Sequence, residues 1–183
     1  MTVLAAAPAV DRRIAKIQGY AQRLGAHHRI YDQTGRAQLN LALFRVGGNV
    51  RFRRTHVSVS VVRRGNFLIN LPPGLPERQV RFAVATGIGR YALEHLSQRK
   101  FGTMLLLDSD RLAIAKAEAF ASAFLMPEPY FRWEHEELDG DVWRLGLAFG
   151  VSPKAANARC RTLGLEATNN RGLGPAKSPT FSL

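Results

Sequence analysis

Gly65–His95 reads GNFLINLPPGLPERQVRFAVATGIGRYALEH and holds a strand, a stop and a long helix in one run. Phe67–Leu71 (FLINL) is short, apolar and flanked by turn residues, which predicts a strand. Pro72-Pro73-Gly74 ends it, because proline has no N–H to give a sheet ladder. Over residues 75–99 the side chains Phe82, Ala85, Ile88, Ala92 and Leu96 recur every three or four positions, the period of a helical face, and Glu77 suits the positive end of that helix. Just upstream, Val57, Val59 and Val61 alternate with His56, Ser58 and Ser60, so Thr55–Val62 predicts a half-buried strand. Arg63-Arg64-Gly65-Asn66 supplies the turn that makes the two strands a hairpin. The expected core is therefore α+β.

The rest of the chain arranges itself around this unit. A second helix is expected from Asp110 to Met126, stopped by Pro127, and an acidic stretch follows with Glu134, Glu136, Glu137, Asp139 and Asp141. Residues 141–165 read as a helix-turn-helix-like pair. Val142, Leu145 and Ala148 mark the first helix, Gly150 closes it, Ser152 caps the second and Pro153 starts it. Towards the N-terminus, Ile14, Ile17, Ala21 and Leu24 give an amphipathic helix from Asp11 to Leu24, with Arg12, Arg13, Lys16 and Arg23 largely on its other face. Residues 25–36 show no period, and 37–46 (AQLNLALFRV) fit a short helix or a buried strand equally well. One domain is expected over 11–165, with residues 1–10 a flexible tail and 166–183, rich in Gly, Pro, Asn and Ser, a disordered one.

Composition excludes several classes. Charged residues make up 22% and hydrophobic ones 46%, an ordinary globular balance. No apolar run approaches the ~20 residues that span a bilayer, so no membrane association is expected. The lone Cys160 rules out an internal disulfide and points to a cytoplasmic protein; its small helical neighbours make it a core thiol. The net charge is +12 and unevenly placed: residues 1–100 hold 17 basic and 4 acidic side chains, residues 101–183 hold 9 and 10. Such an excess fits a polyanionic partner, and it also fits simple solubilisation.

Three blocks in order carry a more specific signal. Gly65–His95 resembles the active-site region of the ImmA/IrrE family of small zinc metallopeptidases, where a strand leads through a proline loop and an Arg-Phe pair into a helix bearing H-E-x-x-H. Ala117–Pro127 (AEAFASAFLMP) is similar to the family's later helix, which ends in leucine-methionine-proline. Leu145–Leu165 is similar to its C-terminal helix pair. The resemblance implies a zincin-like peptidase domain, a small sheet plus two core helices, with the helix pair at its end.

In such enzymes two histidines four apart bind zinc and the glutamate between them is the general base. Here Thr86 falls at the first histidine, Gly87 at the glutamate and Arg90 at the second histidine, while Gly89 and Tyr91 still match. Ile114 and Lys116 are the candidates for the third ligand position, and Glu118 falls where the family usually has asparagine. Thr86 is a poor ligand, Gly87 offers no base, and Arg90 puts a fixed cation where a metal would sit. Elsewhere, Glu94-His95, His135-Glu136 and His27-His28 lack a second histidine at the needed spacing, and adjacent His27 and His28 should diverge. No G-x-S-x-G, P-loop or G-x-G-x-x-G is present, and no cofactor or metal is expected.

The sequence reading is thus a non-catalytic regulatory protein on a metallopeptidase scaffold. It is a DNA-binding transcriptional regulator or, alternatively, a pseudo-peptidase gripping a repressor-like partner without cutting it. For DNA the candidates are Arg51, Arg53, Arg54, Arg63 and Arg64 around the hairpin, and Lys154, Asn157, Arg159 and Arg161 on the second helix of the pair, the helix that reads the major groove in a helix-turn-helix. The hairpin arginines could equally be a charged edge that prevents strand pairing between molecules. The acidic segment 134–141 is a candidate protein-partner surface.

Overall fold

The computed structural model describes residues 7–53, 57–96, 102–105 and 111–169. The chain runs α1 (Ala7–His27), α2 (Leu39–Val46), β1 (Gly48–Phe52), β2 (Ser58–Arg63), β3 (Asn66–Leu71), α3 (Glu77–Arg90), a π-helical turn (Tyr91–Leu96), β4 (Gly102–Leu105), α4 (Arg111–Leu125), α5 (Glu128–Glu137), α6 (Val142–Phe149) and α7 (Pro153–Leu163). The fold is α+β, as the hairpin-then-helix pattern requires.

The hairpin forms as expected, with β2 antiparallel to β3, and two further strands extend it into a sheet of order β1-β3-β2-β4. Strand β1 joins β3 in parallel, Gly48 opposite Phe67 through Phe52 opposite Leu71. Val59, Val61, Phe67, Ile69 and Leu71 are all buried. Asn70 Nδ2 donates to Ser58 Oγ at 3.1 Å and Ser60 Oγ at 3.2 Å, which ties β3 to β2 with a polar ladder. Residues 37–46, open from sequence, contain the helix α2, closed by Gly47 in the left-handed conformation at φ +76.

Helix α3 lies between the sheet and α4, and two glycines set those distances. A Cβ on Gly87 would stand 2.7 Å from Ile69 Cδ1 on β3. One on Gly89 would stand 2.8 Å from Phe120 Cδ1 on α4. Tyr91 then locks the helix end to the hairpin: its ring stacks on Phe67 at 4.0 Å and its hydroxyl accepts from the Gly65 N–H at 2.7 Å.

Helix α1 begins at Ala7, earlier than expected, so residues 7–10 are helical rather than tail; alanine favours helix and proline is tolerated in a first turn. Its inward residues Ile17, Ala21 and Leu24 pack on the core, while Arg12, Arg13, Lys16 and Arg23 are exposed. The acidic stretch is mostly helical, within α5, and Asp141 is not a surface acid. Asp141 is buried and caps α6, accepting from Trp143 N–H at 2.8 Å and Arg144 N–H at 3.3 Å. The cap expected on α7 forms, with Ser152 Oγ accepting from Ala155 N–H at 3.2 Å. Residues 166–169 are not a free tail: Thr168 bridges to Asp141, and Trp143 Nε1–H donates to Asn169 Oδ1 at 3.2 Å. Residues 1–6 and 170–183 lie outside the described residues.

Three arginines fasten the helix pair to the rest of the domain, each at a helix C-terminus where carbonyls lack intrahelical partners and a cation suits the dipole. Arg81 on α3 donates to Phe149 O at 3.4 Å, the last residue of α6, and to Ala37 O at 3.0 Å. Arg132 on α5 donates to Leu163 O at 3.2 Å, the last residue of α7. Arg159 on α7 donates to Met126 O at 3.1 Å, one residue past α4. Part of the basic excess is thus spent inside the fold. No described helix is long and apolar enough to cross a membrane.

Candidate functional site

The first two thirds of α3 carries Phe82 and Thr86 along an open cleft of about 550 Å3. Helix α4 supplies Ile114 and Glu118 to its opposite side, and α7 closes one end with Lys154 and Ala158. The fold therefore brings together one motif position, Thr86, one third-ligand candidate, Ile114, and the nearby Glu118. Most of the lining is carbon, with Arg78, Gln79, Glu118 and Lys154 supplying its polar side chains alongside the hydroxyls of Thr86 and Ser152.

Each of the three motif positions is committed to packing or pairing within the protein. The Thr86 hydroxyl donates to Phe82 O at 2.8 Å, one turn back on its own helix. Gly87 is closed against Ile69, so no side chain fits there without displacing the Ile69 side chain. Arg90 is buried, its Nε 2.8 Å from Glu94 Oε1. That nitrogen makes no aligned hydrogen bond, and neither does Nη1, so the contact is ionic rather than a directed N–H bond. A hydroxyl already donating, a missing side chain and a guanidinium do not fit a divalent zinc ion, which needs imidazole, thiolate or carboxylate donors. Among the described residues, no three His, Cys, Asp or Glu side chains converge on one point.

The remaining histidines are placed as follows. His135 Nε2 sits 2.6 Å from Glu166 O, so its ring is tied to the chain's own backbone. His27 and His28 do not diverge; their rings meet edge to face at 5.0 Å across the end of α1. Burial, then His27 and then Arg45, hold the His28 pKa below its usual value. The side chain of His95 lies outside the described residues. Cys160 is fully buried, and burial raises its pKa, which leaves it an inert core thiol.

The basic candidates separate into three places. Arg63 and Arg64 sit at the β2–β3 turn, with Arg63 opposite Asn66; Arg51 and Arg53 lie near the other end of the sheet, with Arg51 opposite Asn70. Four residues of strand separate the two sets, roughly 13 Å along the sheet. All four side chains are exposed, and Arg54 lies outside the described residues. On α7, Lys154 and Arg161 are exposed and Asn157 half-buried, at positions i, i+3 and i+7 of one face. Arg159 is a correction to the expected reading set. Ala156, Arg159 and Cys160 form the inward stripe of α7, and Arg159 is fully buried with no surface to offer a phosphate or a base. Burial lowers its pKa to about 10, partly opposed by Glu128.

Sheet, paired core helices, intervening cleft and appended helix pair together define a small zincin-like peptidase scaffold. The chain belongs to the family of the IrrE N-terminal-like domain, whose sequence profile matches residues 45–161. No curated protein shows a significant sequence match to it. Among solved structures it is similar to a Mycobacterium tuberculosis transcriptional regulator, at 20% identity and a TM-score of 0.59. That match covers 90% of this chain and 50% of the regulator, so the chain spans about half the length of that protein. At this identity the likeness concerns the fold.

Proposed function

We propose that this protein is a non-catalytic regulator that keeps a metallopeptidase scaffold and binds DNA. The observation that carries the loss of catalysis is the buried Arg90–Glu94 pair at the motif's second histidine position. It supplies an internal cation and its own counterion where the family resemblance would put a metal ligand. Thr86 and Gly87 support the same reading, since neither can bind zinc or act as a base. Among the described residues, none of the side chains lining the open cleft is a histidine or cysteine.

The DNA reading is supported by the exposed arginines at both ends of the sheet and by the Lys154–Asn157–Arg161 face of α7. Phosphate contacts are assigned to Arg51, Arg53, Arg63 and Arg64, with the α7 face as the candidate reader of base edges. The structural neighbour is itself described as a transcriptional regulator, which agrees with a regulatory role. The deciding experiment measures binding of mixed genomic fragments against salt. A steep fall in affinity with salt is expected, and no binding at low ionic strength would overturn the reading. Zinc at one equivalent after purification would overturn the non-catalytic half.

A second reading has one observation in its favour. The cleft between α3, α4 and α7 is still open, apolar and large enough to take a peptide side chain or two. A repressor-like protein held there without cleavage would make the chain an antagonist or partner subunit, and a pull-down from its host that returns no stoichiometric protein would count against it.

A further inference from the structure

A second recess lies outside the cleft, between the C-terminus of α2 and the β2–β3 turn, with a volume of about 620 Å3. Phe44 stands on its border with its side chain 80% exposed. A ring so bare has no packing role in this fold. Glycine backbone and the apolar Leu43 and Val50 line the rest of the recess: Gly47 and Gly65, at φ +76 and +72, pack backbone to backbone, and Gly48 lies against the Phe67 ring. Gly47 and Gly48 are held as glycine by contact, because a Cβ on Gly47 would strike the Gly65 carbonyl and one on Gly48 would strike Phe67, while Gly65 is held by its positive φ alone.

Three amides also line the recess, Asn40, Asn49 and Asn66, and none of their side chains makes a hydrogen bond among the described residues. Arg63 completes the border, and no acidic side chain lines the recess. A flat apolar face, free amide donors and acceptors, and a cation without a neighbouring carboxylate are the three things a nucleotide needs. Aromatic faces stack bases. Amide side chains match the donor and acceptor edge of a base, and arginine matches phosphate.

We propose that this recess binds a nucleotide, with its base stacked on Phe44, its base edge met by the asparagine amides and its phosphate held by Arg63. The ligand is either a free nucleotide or one unpaired nucleotide of a strand, and the chemistry of recognition is the same. Arg63 is shared with the proposed duplex contacts, but Phe44 and the three asparagines are not, so loss of nucleotide binding in Phe44→Ala with duplex binding intact tells the two proposals apart.

The test is titration of the full chain with adenosine monophosphate, with inorganic phosphate, and with a short single-stranded oligonucleotide, read by calorimetry. Saturable binding of the nucleotide or the single strand is expected, weakened about tenfold in Phe44→Ala, since one stacked base contributes on that scale. Phe44→Trp should restore it, which separates stacking from a folding defect. Arg63→Gln should weaken the same binding. Tighter binding of the strand than of the free nucleotide, with the same variant effects, identifies the strand as the source; the reverse identifies a free nucleotide. Binding that is indifferent to Phe44→Ala, inorganic phosphate competing as well as the nucleotide, or no binding of either probe would overturn the proposal.

Discussion

Arg90 and Glu94 face each other one helical turn apart, Nε to Oε1 at 2.8 Å, with side chains 4% and 13% exposed. Arg90 is the last residue of α3, and the helix widens into a π-helical turn immediately after it. A charge so enclosed depends on its partner. Glu94→Gln should therefore cost about 3–5 kcal/mol, the usual penalty for stranding one member of a buried pair. The double variant Arg90→Met with Glu94→Leu should recover most of that loss, because two well-packed apolar side chains need no desolvation. Chemical denaturation of both variants checks this. A double variant as unstable as Glu94→Gln would show that the pair does more than neutralise itself.

Restoring the peptidase motif should fail at Gly87. A Cβ there would approach Ile69 Cδ1, Cγ1 and Cγ2 at 2.7, 2.9 and 3.1 Å, so even alanine must push the buried Ile69 side chain aside. Gly87→Ala should destabilise by about 1–3 kcal/mol, the range for overpacking a core. Ile69→Ala creates a cavity and is destabilising alone, yet in combination the two losses should sum to clearly less than their separate costs. A strictly additive double-mutant cycle would place the strain elsewhere. Because a glutamate is larger still and charged, the triple change Thr86→His, Gly87→Glu and Arg90→His should yield a poorly folded chain rather than a zinc enzyme.

Much of this architecture was legible in the sequence. The hairpin, the two core helices and the capped helix pair follow from alternation, helical spacing and caps, signals that depend on neighbours in the chain. The strands β1 (GNVRF) and β4 (GTML) carry too few residues to show a period, and their pairing is decided by the sheet. At the site, the three substituted motif positions were readable one by one, but what occupies the space was not. The Arg90–Glu94 spacing of four residues was the available clue to their pairing. Arg159 carries a charge that suggests surface, but it shares its helix face with Ala156 and Cys160, and that stripe is buried. Phe44 and the three asparagines lie on three elements, α2, β1 and β3, and form a recess only when α2 meets the hairpin.

Arg159 offers a pH test. Its guanidinium is fully buried, only Nε has a hydrogen-bond partner, and its pKa falls to about 10. A base whose folded pKa is depressed binds fewer protons folded than unfolded, so its charge opposes folding at neutral pH and that opposition fades as pH rises past about 10. Arg159→Met keeps the volume while removing the charge and one hydrogen bond, so it should lie within about 1 kcal/mol of the parent at pH 7. Above pH 10 the parent should gain on the variant. Arg159→Ala should lose about 2–4 kcal/mol at either pH through the cavity alone. Denaturation curves at the two pH values suffice, and a parent that loses ground to Arg159→Met on raising the pH would refute the assignment.

The assignment of phosphate contacts to the sheet predicts how salt dependence changes with mutation. Each phosphate contact contributes about 0.9 to the slope of log affinity against log salt on duplex DNA. Arg51→Gln with Arg53→Gln, and separately Arg63→Gln with Arg64→Gln, should each flatten the slope by up to about 1.8 without altering the thermal midpoint, since all four side chains are exposed. The two pairs stand roughly 13 Å apart, so they would touch different phosphates and their effects should add. Asn157→Ala on α7 carries no charge change. If α7 reads bases, this variant should leave the slope alone and narrow the gap between specific and non-specific affinity by about 1–3 kcal/mol. Binding that keeps its full slope in both arginine pairs, yet flattens when Lys154 and Arg161 are neutralised, would move the phosphate contacts from the sheet to α7. Because Lys154 also lines the cleft beside Arg78, such a result would bring the DNA and the former peptidase cleft onto one face of the molecule.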